Sequence, residues 1–478
     1  MVDEVMKEEL RLVSVRPSQR QIAYQQMEFN GFIHFTVNTF TGKEWGTGQE
    51  VSAIFDPEEL DARQWVETAK NAGMKGIILT CKHHDGFCLW PSAHTCHSIE
   101  YSPYKGGQGD LVKEVSEACR EFGIKFGVYL SPWDRNHYTY GMGKAYDDYF
   151  VNQLTELLTR YGKIFAVWLD GACGEGANGK VQEYDWERYY ETVRSLQPEA
   201  CIAISGPDIR WCGNEAGMTR ESEWSVVPAK LAEPKKIAED SQQEDNAEFR
   251  EKGMDPTQME LGTREKLKDE QQLIYYPAET DLSIRPGWFY HEEEDKQVRS
   301  FEELRDIYLK TVGGNAVMLL NIPPDKRGLI HDNDVEVLKK LGAFIRDSFA
   351  HNLADRSKII TIPPTDAAGR GSEALRSDDY ESFFANAEGE KKLQIDLIWE
   401  KPEQLSYLVL KENILFSQRI EQFEVFWENA LGEWETVCQG TVVGYKKIIS
   451  LNGLMTKKLR IIINDARVAP VLSFVGAY

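Results

Sequence analysis

Ile164-Phe-Ala-Val-Trp-Leu-Asp170-Gly171 is an uninterrupted apolar run that breaks on one acid. An earlier run, Ile77-Ile-Leu-Thr-Cys-Lys-His83-His84-Asp85-Gly86, breaks on two histidines. Runs this short with no polar alternation read as strands buried on both faces, as in a parallel sheet. In an α/β barrel the C-terminal ends of such strands carry the chemistry. A carboxylate and a histidine pair at two such ends therefore point to one pocket.

Working outward, the same grammar repeats. Asp61 caps an amphipathic helix through Trp65, Val66, Ala69 and Ala72, which Gly73 stops before the strand Ile77 to Thr80. Asp110 opens a second helix, closed by Gly123 ahead of the strand Lys125 to Ser131. A third, through Phe150, Val151, Leu154, Leu157 and Leu158, ends at Gly162 before the Asp170 strand, and a fourth, Trp186 to Leu196, leads into Cys201 to Ser205. Strands alternating with such helices mean βαβ units and a parallel sheet. Gly31 to Phe35 at the front, with Glu223-Trp-Ser-Val226, Thr280 to Tyr290 and Ala316 to Asn321 behind, completes eight strands. That count predicts an α/β fold of the (β/α)8 barrel type, with a doubly wound open sheet as the rival.

The charged stretch between Pro228 and Gln272 reads as a long solvated loop with helical pieces, either a lid or substrate-facing trim, with a solvated structural insertion as the plainer alternative. After Phe349 the composition changes. Leu393 to Ile398, Leu405 to Leu410, Phe423 to Trp427, Glu435 to Val437, Lys446 to Ile449 and Leu459 to Ile463 are short, partly alternating runs divided by turn residues. They predict a C-terminal antiparallel β-sandwich, residues 349–478, behind a catalytic barrel of residues 1–348. A net charge of −22 argues against nucleic acid or an anionic membrane as partner, and no apolar stretch is long enough to span a membrane. Eight cysteines do not make a disulfide scaffold, and Met1 to Arg20 has no apolar core of a secretory signal. The expected location is cytoplasmic as the sequence stands, and secreted or periplasmic if a signal has been removed.

The segment Cys81, His83, His84, Cys88, His94, Cys96 and His97 raises the question of zinc, but it lacks the paired spacing of closed metal sites. A second carboxylate tips the balance. The loop Gly206-Pro-Asp-Ile-Arg-Trp211-Cys-Gly-Asn214-Glu215-Ala-Gly217 follows the fifth strand. One carboxylate after strand four and another after strand five are what a glycosidase barrel needs: a nucleophile for the anomeric carbon and an acid for the leaving oxygen. Of the chain's 12 tryptophans, Trp45, Trp90, Trp133, Trp168, Trp211, Trp224 and Trp288 fall at strand ends or in the loops after them. Aromatic faces there suit the apolar faces of sugars, although each also suits a core.

Gly31-Phe-Ile-His34-Phe35, Glu44-Trp45-Gly46, Lys82-His83-His84-Asp85-Gly86-Phe87, Gly127-Val-Tyr129-Leu-Ser131 and Val167-Trp168-Leu-Asp170-Gly171 together resemble the α-L-fucosidases of glycoside hydrolase family 29. The resemblance implies a retaining mechanism with Asp170 as nucleophile and a fucose pocket lined by His34, Glu44, Trp45, His83, His84, Tyr129 and Trp168. Gly213-Asn214-Glu215-Ala-Gly, followed by Glu223-Trp224, is similar to the subgroup that prefers α-1,3 and α-1,4 linkages, which implies Glu215 as acid/base. Ile284-Arg285-Pro-Gly-Trp288 continues the likeness and adds Trp288 to the pocket, while Phe416 to Ile420 and Gly444 to Lys447 resemble a discoidin-like sandwich. The implied partners are fucosylated oligosaccharides or glycoconjugates. Two carboxyl groups supply both nucleophile and proton, so no metal or cofactor is expected. A glycosidase for another sugar, such as galactose, and a non-catalytic sugar-binding protein are the competing readings.

Overall fold

The computed structural model describes residues 2–242, 244, 248–249, 252–254 and 258–478. Eight strands form one parallel sheet: β1 Phe29–Ile33, β2 Gly76–Lys82, β3 Lys125–Leu130, β4 Ile164–Leu169, β5 Cys201–Ile204, β6 Arg210–Trp211, β7 Ala278–Ser283 and β8 Ala316–Asn321. Hydrogen bonding runs β5-β4-β3-β2-β1-β8-β7-β6, and a parallel bridge between Ala203 and Ile209 joins its two ends into a barrel.

Strand parity sorts the side chains into two clusters. Ile77, Leu79, Val128, Val167, Met318 and Leu320 point out to the helices. Phe32, Ile78, Tyr129, Ala166, Trp168, Ala203, Val317 and Leu319 point in and fill the barrel. The capping acids act as read: Asp61 accepts from the backbone N–H groups of Arg63 and Gln64, and Asp110 from that of Lys113. Gly123 ends the second helix at φ +71°, a left-handed turn that favours glycine.

The sixth strand differs from expectation. Glu223 to Val226 does not enter the barrel; Val226–Pro228 pairs antiparallel with Leu273–Tyr275 in a separate ribbon. Arg210–Trp211 takes the place, reached from β5 by a link too short for any helix. The segment's partners lie outside the barrel: Trp224 and Val227 pack with Leu261, Tyr276 and Val442. Buried Glu223 is bound by Arg210 and Arg220, which ties its segment to the outside of β6. Part of the charged insertion, residues 243, 245–247, 250–251 and 255–257, lies outside the described residues.

After the helix Asp332–Ser348, seven strands form one antiparallel sheet, built around the long strands Leu393–Glu412 and Lys447–Ala466. Leu393, Ile395, Leu397 and Trp399 alternate with more exposed neighbours and pack with Phe423, Val425, Leu459 and Ile461 in a core of their own. All eight cysteines are free, and no helix among the described residues is long and apolar enough to cross a membrane.

Barrel and C-terminal sheet share a charged joint as well as apolar contact. Val409, Ile448 and Phe474 belong to the same apolar cluster as the barrel helices. Glu28, just before β1, accepts from Tyr445 OH at 2.8 Å and Lys446 Nζ at 3.0 Å, with Lys75 Nζ at 3.6 Å and Lys411 Nζ at 3.8 Å. Burial alone would raise this carboxyl, but Lys446, Lys75 and Lys411 hold it well below the usual carboxylate range. Removing one member of such a buried set strands the others, so Glu28→Ala is expected to cost ~3–5 kcal/mol in denaturant unfolding. Because the folded value is depressed, this contribution is complete above the ordinary carboxylate range and fades as pH falls through the folded value. The wild-type-minus-mutant difference should therefore be flat from neutral pH down to ~5 and shrink only in strong acid.

Candidate active site

The C-terminal ends of the strands open into a cavity. Phe32 of β1, Trp168 of β4, Ile204 of β5, Trp211 of β6 and Asp281 of β7 reach it from the barrel. His34, Trp45, His83, His84, Asp170, Glu215 and Trp288 reach it from the loops that follow the strands.

Asp170 stands one residue beyond β4. Its Oδ2 accepts from Tyr129 OH at 2.9 Å, and its Oδ1 accepts from the Ala172 N–H at 2.8 Å. Burial pushes the carboxyl up, and the bonds from Ala172, Tyr129 and the Gly171 backbone draw it back. Its ion-pair partner within 4 Å among the described residues is His84, with Nε2 3.8 Å from Oδ2.

That histidine carries no charge at neutral pH. Burial, then Arg135 and His34, lower His84 to about 3. Burial lowers His34 to about 4 against opposing pulls from Asn321 and Glu44, and His83 falls well below its ordinary value through burial and its two imidazole neighbours. Hydrogen bonding fixes two tautomers. Asn321 Nδ2 donates to Ser283 Oγ and to Trp288 O, so its Oδ1 accepts from His34 Nδ1 at 2.9 Å. Ser131 donates to Trp133 O, so its Oγ accepts from His84 Nδ1 at 2.7 Å. Both imidazoles therefore keep a bare Nε2 as acceptor.

Two indoles hold carboxyl groups on the other side of the cavity. Trp288 Nε1 donates to Glu215 Oε2 at 3.0 Å, and Trp211 Nε1 donates to Asp281 Oδ1 at 2.6 Å. Burial, and then the charge of Glu215, raise Asp281 well above an ordinary aspartate. A third indole is anchored from below. Trp168 Nε1 donates to Glu279 Oε1 at 3.0 Å, and Tyr24 OH donates to the other Glu279 oxygen. Burial lifts Glu279 to about 7 against these two bonds.

The insertion contributes a wall. Ser241 and Gln242, just after the helix Pro234–Asp240, line the cavity. A Cβ on Gly171 would meet Ser241 Oγ at 2.1 Å, so this close approach requires glycine beside Asp170. His83, His84 and Asp170 each offer one ligand atom, all within 4.8 Å of one another. A divalent cation there would compete with the Tyr129 hydrogen bond for Asp170 Oδ2.

The α-L-fucosidase family profile matches residues 16–348. This chain belongs to the α-L-fucosidase family. It is 37% identical to α-L-fucosidase 1 of Arabidopsis thaliana, over 97% of this chain and 87% of that protein. It superposes with a TM-score of 0.81 on a Ruminococcus gnavus GH29 fucosidase solved in complex with fucose, at 28% identity, covering 97% of this chain and 95% of that chain.

Of the residues singled out in the sequence, Asp170, Glu215, His34, Trp45, His83, His84, Trp168 and Trp288 meet at this one cavity. Tyr129 lies against it through its bond to Asp170. Glu44 is placed differently: it accepts from the backbone N–H groups of Trp288 at 2.7 Å and Phe289 at 3.3 Å, and lies 2.6 Å from His291 Nε2, so it fastens the Trp288 loop. Asp281, Ser241 and Gln242 were not foreseen. For Asp281 a signal existed. In Ala278-Glu279-Thr-Asp281-Leu-Ser the two acids stand two apart, hence on one face, and the barrel exterior has no place for them.

Tyr129→Phe removes a hydrogen bond to a carboxylate, an interaction worth ~1.5–3 kcal/mol. We expect kcat to fall by ~10- to 100-fold with the fold intact. Since that bond lowers the Asp170 value, its loss should move the acid limb of the kcat/KM profile to higher pH, which a pH–rate series on an aryl fucoside reads directly.

Proposed function

We propose that this family member is a retaining α-L-fucosidase in which Asp170 is the nucleophile and Glu215 the general acid and base. The observation that carries the reading is the pair itself: a carboxylate served only by neutral donors faces the same cavity as a second carboxyl anchored by Trp288. In the first step Asp170 attacks the anomeric carbon while Glu215 passes its proton to the departing glycosidic oxygen. In the second, water attacks the fucosyl-aspartate as Glu215 takes a proton from it, which restores both groups.

Fucose brings three hydroxyls and a methyl group. The bare Nε2 atoms of His34 and His84 accept from hydroxyls, and neutral imidazoles leave the anionic nucleophile unpaired and reactive. Phe32 and Trp168, with ring centroids 5.1 Å apart, present an apolar surface that suits the methyl. The bound fucose in the R. gnavus relative supports the same sugar here.

Replacement of Asp170 by Ala should abolish hydrolysis of an aryl fucoside, and azide should restore turnover as a fucosyl azide of inverted configuration. Glu215→Ala should harm substrates with poor leaving groups far more than activated aryl fucosides. Hydrolysis that survives in Asp170→Ala without azide would defeat the nucleophile assignment. Loss of wild-type activity to a chelator would favour a metal at His83, His84 and Asp170, and faster turnover of another nitrophenyl glycoside would move the assignment to that sugar.

The linkage reading is finer: release of α-1,3- and α-1,4-linked fucose from branched Lewis-type glycans. It rests on the Gly213-Asn214-Glu215 loop and on Ser241 and Gln242, polar groups beside the reacting carboxyls. In a branched glycan a galactose sits next to the fucose, and groups that bond it in the transition state raise turnover as well as affinity. An α-1,2 substrate presents no such branch and forgoes that transition-state binding energy. The kcat/KM on a Lewis trisaccharide should exceed that on 2′-fucosyllactose by ~100-fold or more. Equal values would remove the selectivity and leave the fucosidase standing.

A further inference from the structure

At the opposite end of the barrel, below the starts of β3 and β4, lies a second and larger cleft of about 640 Å3. The helix Gln19–Gln25 walls one side with Ala23 and Tyr24, and Cys119 near the end of the helix Leu111–Phe122 walls the other. Phe126, Ile164 and Phe165 line its strand side, so its interior is mostly apolar. Neither a free sugar nor a bare inorganic ion would satisfy these walls.

The rim carries four cations, Arg20, Arg120, Lys125 and Lys163, in a chain that has 77 acids to 55 bases. Lys163 is paired with Glu199, and Arg20 Nε donates to Pro198 O at 3.2 Å. Arg120 and Lys125 have no carboxylate within 4 Å among the described residues. Burial, followed by Lys163 and Lys75, pulls the Lys125 ammonium below its ordinary value against weaker opposing pulls from Cys201 and Glu199, which is the situation an arriving anion relieves. An apolar ligand with no charge would cover these cations without pairing them. A volume in this range matches that of small-molecule sites, which combine apolar walls with few polar anchors.

We propose that this cleft is a second ligand site that takes an amphiphilic monoanion, with its apolar body between Tyr24, Cys119 and Phe165 and its acid group on Lys125 and Arg120. The site is separate from the fucosidase cavity, so the two can be tested apart. Decanoate is the probe, titrated calorimetrically into the full chain below its micelle concentration, with acetate and 1-octanol as controls for the head and the body.

Decanoate should bind saturably, one per chain, with saturating fucose making no difference, and neither control should match it. The double variant Arg120→Glu/Lys125→Glu changes exposed charges far from the catalytic carboxyls, so it should keep aryl-fucoside kcat/KM and weaken decanoate by ~10-fold or more. Ala23→Trp, which fills the cleft from its apolar side, should weaken binding by a similar factor through sterics and so provides an independent check. Absence of saturable binding to the wild-type chain, displacement of decanoate by fucose, or equal affinity in the charge-reversed variant would each overturn the site.

Discussion

A carboxylate taken out of water and given no cation can stay ionised only on neutral donors, and the cavity is arranged around that requirement at Asp170. Tyr129 and two backbone N–H groups supply the donors. Lysine or arginine at this point would bind the carboxylate and occupy its lone pairs. The three histidines satisfy the same condition through burial. Packed with ring centroids 4.1 Å apart at His83 and His84 and 5.4 Å apart at His34 and His83, they cannot share the positive charge that any one of them would bring.

The demand passes outward through the fold. Tyr129 points inward because strand parity puts Val128 on the helix side. His84 keeps its tautomer because Ser131, one residue beyond β3, has already committed its proton to Trp133. Gly171 keeps its place because Ser241 closes over it. The chemistry thus depends on positions whose own contacts are to backbone and to neutral side chains, and such contacts depend on a rigid barrel beneath them.

Most of that barrel was legible because its strands are continuous apolar runs and its helices begin at Asp61 and Asp110 and end near glycines. The sixth strand was not. Two residues leave no periodicity to read, and Glu223-Trp-Ser-Val226 imitates a strand end while its acid is committed to Arg210 and Arg220. The cavity was legible where a residue type is rare at a strand end, as with His83, His84 and Asp170. It was illegible where a side chain arrives from a distant segment, as with Ser241 and Gln242, because a charged insertion carries no register that would place it. Glu44 shows the limit of local reading: it came only with the family resemblance, and its bonds to Trp288, Phe289 and His291, more than two hundred positions away, leave no mark on the sequence around it.

The chain Tyr24–Glu279–Trp168 crosses the barrel from base to cavity and has a practical consequence. The tryptophan beside Asp170 is braced, through Glu279, by a residue from the seven-residue helix Gln19–Gln25, which precedes every strand of the barrel. Shortening the N-terminus past Ser18 would therefore remove more than a surface appendage. It would take away the capping box that starts this helix and so loosen the hold on Tyr24, one of the two donors to a carboxyl buried at the centre of the molecule. Expression boundaries for this enzyme, and fusion points at its leading end, belong upstream of that helix.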